Sequence, residues 1–361
     1  MWPDDSLAKL FQINLPLIQA PMAGSSGLDM AVAVSEAGGL GSLPCALFDA
    51  PGLKTALQSL SEKTSRPVNL NFFTHRPAKP DQQADRKWLR QLSGYYKELG
   101  VAQPDQLSPG PVHYFDGNHC DVIEESSPAV VSFHFGLPDE KLILRLKAAG
   151  VKIISSATTT DEARWLADHG CDAVIAQGYE AGGHRGMFLT EAVSTQMGTL
   201  SLVPQIVDAV DVPVIAAGGI ADGRGIAAAF ALGASGVQIG TAYLFTNEAT
   251  ISASYRAALL AANDLSTGLT NVFSGRPARC VMNRAIEELG PFADDAPSFP
   301  NGFVAMSPLR AKAEENGNSD FSAHYCGQSA ALGRSMSACD LTSKLSEDAL
   351  KIISGMNQTI R

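Results

Sequence analysis

Short apolar runs rich in Val and Ile alternate along this chain with stretches whose apolar residues recur every three or four positions, the pattern of parallel β/α units. Eight runs qualify: LPLIQAPM (15–22), GGLGSLP (38–44), PVNLNFF (67–73), AVVSFHF (129–135), KIISSAT (152–158), DAVIAQGY (172–179), PVIAAGG (213–219) and GVQIGTAY (236–243). Between them, LDMAVAVSEAG, GLKTALQSLSEK, DEKLILRLKAAG, TDEARWLADHG, TLSLVPQIVDAV and GRGIAAAFALG read as helices. Several end at a glycine, where a left-handed C-cap is easiest. Near-continuous apolar strands fit burial on both faces. Eight is the number of a TIM (β/α)8 barrel. A doubly wound open sheet would bury similar strands, but polar and glycine signals follow most runs and not a single switch point, which favours the barrel.

Two regions lie outside that count. Residues 74–128 contain the amphipathic stretch QQADRKWLRQLSGYYKELG and then the Pro/Gly-rich QPDQLSPGPVHYFDG, which together read as an insertion. After about residue 248 come a helix, ATISASYRAALLAAN, then FSGRPARC, a loop rich in Pro, Asp and Phe, and a final helix from about Ser346. The expected organisation is a barrel from 1–75 and 110–248, with 76–109 and 249–361 forming a cap and substrate region over the mouth, where a barrel's active site lies.

Charge and composition narrow the function. A net charge of −10 and no long Lys/Arg block exclude the electrostatic footprint of nucleic-acid binding. The longest apolar stretch, Val212 to Ala221, contains a proline and two glycines, and MWPDDSLAKL has acids where a signal peptide needs cations. The expectation is therefore a soluble, cytoplasmic protein with no membrane partner, and a homodimer stays open. Six cysteines without any C-x-x-C read as free thiols. The cluster HYFDGNHCD, with His113, His119, Cys120 and Asp121, matches no metal spacing and reads as a solvated loop; no metal site is expected.

Candidate chemistry gathers at the ends of the runs. QGYEAGGHRG, residues 177–186, sets His184 in a glycine-rich frame, where backbone N–H groups approach a ligand closely. Gly218 and Gly219 after the seventh run, and Gly240 and Thr241 after the eighth, offer backbone donors for a phosphate. Asn69 and Asn71 share one strand face, and Ser132 and His134 alternate against Val131 and Phe133, so that His134 points away from the phenylalanines towards the mouth. Pro21 and Met22, in QAPMAG, could pack on a flat ring. Arg185 reads as a salt-bridged or surface arginine, and Glu180 as either a supporting partner or a solvated carboxylate.

In their order, QAPMAG, VNLNFF, SFHFG, QGYEAGGHRG, AAGGIADG, GVQIGTAYL and FSGRPAR resemble the motifs of the nitronate monooxygenases, formerly called 2-nitropropane dioxygenases, over residues 15 to about 285. The resemblance implies a TIM barrel holding FMN non-covalently, with His184 as the catalytic histidine. It further implies FMN contacts at Pro21, Met22, Asn69 or Asn71, Gln177, Gly182, Gly183, Gly218, Gly219, Gln238, Gly240 and Thr241, with Gln177 bonded to the flavin's polar edge. Tyr255 matches a family tyrosine near the substrate, beside His134. The implied reaction is oxidation of a small-molecule nitronate by O2 to a carbonyl compound and nitrite. His184 would act either as an imidazolium facing the anion or, unprotonated, as a base towards the neutral nitro compound.

The family's C-terminal Y-P-x-x-Y with a following lysine is here SFPNGFVAMS, with Phe299, Phe303 and Ser307, and its WAGQ is here HYCGQ. Two phenols and a cation are thus missing from the implied substrate side. Two other readings of the same barrel are an NAD(P)H-dependent reductase of quinones or enoyl thioesters and a flavin-binding module without turnover.

Overall fold

The structure, a computed structural model, describes residues 1–75, 81–107 and 112–359, the side chains of 357–359 excepted. Parts of the inserted segment expected from sequence, residues 76–80 and 108–111, lie outside the described residues.

Eight parallel strands form one sheet: β1 (Leu17–Gln19), β2 (Gly41–Pro44), β3 (Val68–Phe73), β4 (Val130–His134), β5 (Lys152–Ala157), β6 (Ala173–Gln177), and, beyond a short hairpin strand β7 (Gly183–His184), β8 (Val214–Ala217) and β9 (Gly236–Ile239). Every one of the eight apolar runs contains one of these strands. The order β1-β9-β8-β6-β5-β4-β3-β2 is closed by the parallel bridge between Ile18 and Leu40, with Gln19 N–H donating to Leu40 C=O. The barrel reading holds and the open sheet does not.

Alternation along each strand separates two cores. Val131 and Phe133 of β4, with Leu70 and Phe72 of β3, face the surrounding helices. Ile18, Val130, Ile154, Ile175 and Ile215 face inward and are stoppered from below by Leu7 and Phe11 of the helix Ser6–Phe11. The polar exceptions, Asn71, Ser132 and His134, sit where the interior opens at the strands' C-terminal ends.

A third core belongs to the cap. Trp88, Leu89, Leu92 and Tyr96 of the helix Gln82–Leu99 pack with Ala305, Met306 and Leu309 of a helix, Asn301–Glu315, that the sequence pattern hid in a loop. Pro308 lies inside that helix and no side chain caps its start, so neither the usual boundary signals nor a clean period marks it. Tyr96 donates to Ala305 C=O, and Arg284 pairs with Glu98 at 2.6 Å.

Two sequence expectations change. HYFDGNHCD is not a solvated loop: Asp116 caps the helix Gly117–Ser126 by accepting from His119 N–H, and His119 and Cys120 are buried. Among the described residues no cluster could hold a metal. The final helix begins at Ala338, not Ser346, and its Leu341, Leu345 and Ala349 join the barrel core, between the helices Leu28–Glu36 and Gly223–Ala231. It occupies the ring position due to follow β9, so residues 249–337 are spliced between the last strand and its helix. No helix among the described residues is long and apolar enough to cross a membrane.

Candidate active site

A cavity of about 620 Å³ opens at the C-terminal ends of the strands, roofed by Phe303, Met306 and Tyr325 of the cap. That size and position suit a cofactor together with a small substrate.

The histidine loop is built from two sides. β7 pairs antiparallel with β11 (Ala278–Val281), which itself pairs with β10 (Thr267–Thr270). From the barrel, Gln177 Nε2 donates to His184 C=O at 2.9 Å, while Gln177 Oε1 accepts from Gly186 N–H at 2.7 Å. His134 Nε2 donates to the same His184 carbonyl at 3.2 Å, since a carbonyl can only accept, and its Nδ1 lies 3.1 Å from Ser156 Oγ. The glycine frame is sterically required: a Cβ on Gly182 would stand 2.5 Å from Gly327 N, and Gly183 has φ +73°.

His184 Nε2 lies 2.9 Å from Ser274 Oγ. That hydroxyl also accepts from Arg276 N–H and donates to Arg276 C=O, each at 3.2 Å. One hydroxyl proton serves all three contacts only if it goes to the carbonyl and the imidazole donates from Nε2. Nδ1 is then left with its lone pair, makes no hydrogen bond among the described residues, and belongs to a ring on the cavity wall. Burial, followed by the neighbouring His134, Arg276 and His75, lowers His184 to about 3. Burial lowers His134 to about 4, against its bond to the His184 carbonyl. Both rings are neutral at neutral pH.

Three guanidinium groups surround this loop without a carboxylate partner among the described residues. Arg185, expected to be salt-bridged or at the surface, is fully buried and donates to Gln196 Oε1, Gly178 C=O and Gln177 C=O. Burial lowers it to about 10, still charged at neutral pH. Arg276 lies 4.1 Å over the Phe135 ring and donates to Met187 C=O. Arg279 holds Tyr179 C=O. None lines the cavity, so they act on it through their field.

The remaining sequence candidates divide. Pro21, Met22, Asn71, Gln177, Gly182, Gly183, Gly218, Gly219, Gln238, Gly240, Thr241, His134 and Tyr255 all line the cavity with His184. Asn69 does not: it sits one layer deeper, its amide donating to Ser42 Oγ, because a period of two fixes a strand face and not a depth. Gln177 and Thr241 face the cavity, yet their side chains are engaged with the chain, Thr241 Oγ1 accepting from Gly327 N–H. Glu180 accepts from Thr199 N–H and Oγ1 at the start of the helix Thr199–Val207. The Tyr255 hydroxyl donates to Tyr325 C=O, and its ring stacks on His324 at 4.3 Å.

Sequence reasoning passed over Ser274, although FSGRPAR was in view, because its partner is 90 residues away. Tyr325 was also passed over: its ring centroid is 5.2 Å from that of His184 and its hydroxyl is buried without a partner.

Known proteins resemble this chain along nearly its whole length. A family model described as nitronate monooxygenase matches residues 4–348. The chain is 40% identical over 356 residues to a nitronate monooxygenase of Paraburkholderia phytofirmans, covering 98% of this chain and 97% of that one. It is likewise 40% identical to one of Pseudomonas aeruginosa, covering 95% and 99%. Among solved structures, a nitroalkane oxidase from Streptomyces ansochromogenes superposes with a TM-score of 0.87 at 38% identity, over 97% of this chain and 99% of that one. FabK from Thermotoga maritima gives 0.73 at 27%, over 98% of each.

Proposed function

The chain belongs to the nitronate monooxygenase family, and from that premise we propose that it is an FMN-dependent enzyme that oxidises alkyl nitronates with O2. The balanced overall change is two R₂C=NO₂⁻ and one O2 giving two R₂C=O and two NO₂⁻. The observation that carries the reading is His184: a neutral ring on the cavity wall, tied through Nε2, with Nδ1 open.

The residues present fit FMN. Gln238 Oε1 is a buried acceptor on the cavity wall without a partner, suited to a flavin N–H edge. Among the described residues the N–H groups of Gly219 and Gly240 have no hydrogen-bond partner and would take the phosphate, with no described lysine in that wall. Pro21, Met22, Asn71, Gly182, Gly183 and Gly218 would line the ring. When bound, FMN supplies the capacity to accept and return single electrons.

The chain's own groups do the rest. His184 Nδ1 takes the carbon proton of a neutral nitro compound, and the imidazolium so formed faces the nitronate it has made. A substrate arriving as the nitronate needs no proton removed, and the field of Arg185, Arg276 and Arg279 favours its charge. The cap residues Phe303, Met306 and Tyr325 exclude water. The test is anaerobic mixing of FMN-loaded protein with ethylnitronate: loss of the oxidised-flavin spectrum, then O2 uptake and nitrite on aeration, is expected. Bleaching by NADH and none by nitronate would favour the reductase reading instead; no response to either would leave a binding module.

A further inference from the structure

The walls of the cavity divide by chemistry. Among the described residues, the only Asp, Glu, Lys or Arg side chains lining it are Arg310 and Glu314, of opposite sign and about one turn apart on the same helix. Both are exposed at its outer edge, and Glu314 is tied to Ser322. Around His184 the surfaces are aromatic instead. Phe303 and Tyr325 have ring centroids 6.0 and 5.2 Å from the imidazole, with Phe299 behind at 5.4 Å. Phe73, Phe273 and Met306 continue the lining.

Resting on the function proposed above, we propose that the substrates are nitronates whose carbon skeleton is apolar, aryl or extended alkyl, and that Phe303 is the residue that selects them. The nitronate's single negative charge lies next to His184, in the field of the three guanidinium groups. A second anionic group further along the substrate would meet phenyl rings, lose its water and find no cation nearer than Arg310, which is exposed at the outer edge. An aryl group there finds ring edges and faces at the spacing aromatic pairs prefer.

The experiment measures kcat/KM by O2 uptake for the FMN-loaded enzyme with the nitronates of phenylnitromethane, nitroethane and 3-nitropropanoate, the last a dianion. The aryl nitronate is expected to exceed ethylnitronate at least about tenfold, and the dianion to fall at least about tenfold below it. A dianion equal to or better than ethylnitronate overturns the inference while leaving nitronate oxidation standing. No oxidation of any of the three by folded, flavin-loaded protein removes both. Phe303→Ala is expected to reduce the aryl-to-ethyl ratio at least about fivefold; an unchanged ratio overturns its selecting role. Ser307 is exposed on the same wall, so Ser307→Lys should leave the fold intact and raise the dianion-to-aryl ratio at least about tenfold. No rise would show that lack of a cation does not set the choice, and so would also overturn the inference.

Discussion

His184 and Ser274, 90 residues apart, meet at 2.9 Å because β7 pairs with β11. The serine fixes the proton on Nε2 and thereby leaves the Nδ1 lone pair on the cavity side, where the proposed mechanism uses it. Ser274→Ala is expected to lower kcat about tenfold, the worth of one hydrogen bond of roughly 1.4 kcal/mol, with FMN still bound. His184→Asn, which removes the proposed base, should lower it by about 10²- to 10⁴-fold. Steady-state rates alongside flavin content check both, and an Asn variant as fast as the parent excludes the assigned role.

Rate against pH separates the two roles open to the histidine. Its pKa lies near 3, so the neutral form is complete at every pH well above that. With the neutral nitroalkane as substrate, kcat/KM should stay constant within about twofold from pH 8 down to 5 once substrate ionisation is accounted for. A requirement for imidazolium would instead make the rate climb as pH falls through that range.

Stability should be acid-sensitive for the same physical reason. His75, His134 and His324 are lowered to about 4 and His184 to about 3, mainly by burial, whereas unfolded histidines titrate near 6.5. Between those values the unfolded chain binds protons that the folded one refuses, so stability declines as pH drops from about 6.5 towards 4. Urea midpoints at pH 7 and pH 5, at matched ionic strength, should show the lower value at pH 5; equal midpoints would contradict it.

Gly182→Ala tests the loop's close approach to residues 326 and 327. The added methyl would lie 2.5 Å from Gly327 N, against backbone that cannot rotate away. Displacement of the loop should cost about 1–3 kcal/mol of stability and weaken FMN retention, read by flavin fluorescence on dilution. Retention equal to the parent's would mean that the loop does not shape the cofactor site.

The barrel was legible because strands buried on both faces must be continuously apolar, and the ends of such strands are where polar residues stand out. His184 could be found because its glycines declare a close backbone approach. Ser274 could not, since its partner is set by a pairing of β7 with β11 that no local period records. Gln177 lies on the cavity as expected, but the two bonds its amide makes to the backbone of His184 and Gly186 were invisible in the pattern, because the hairpin that brings those groups to it is a tertiary pairing. Arg185 misled for a related reason. A buried guanidinium satisfied by carbonyls looks, in sequence, like any surface arginine beside a turn.

The placement of the helix Ala338–Thr359 in the outer ring bears on biosynthesis. A ribosome must finish the whole roof before it makes the helix that seals the barrel's flank, so nascent chains carry the bare greasy flanks of residues 28–36 and 223–231 through more than a hundred further codons. Chaperone capture during translation would guard that interval.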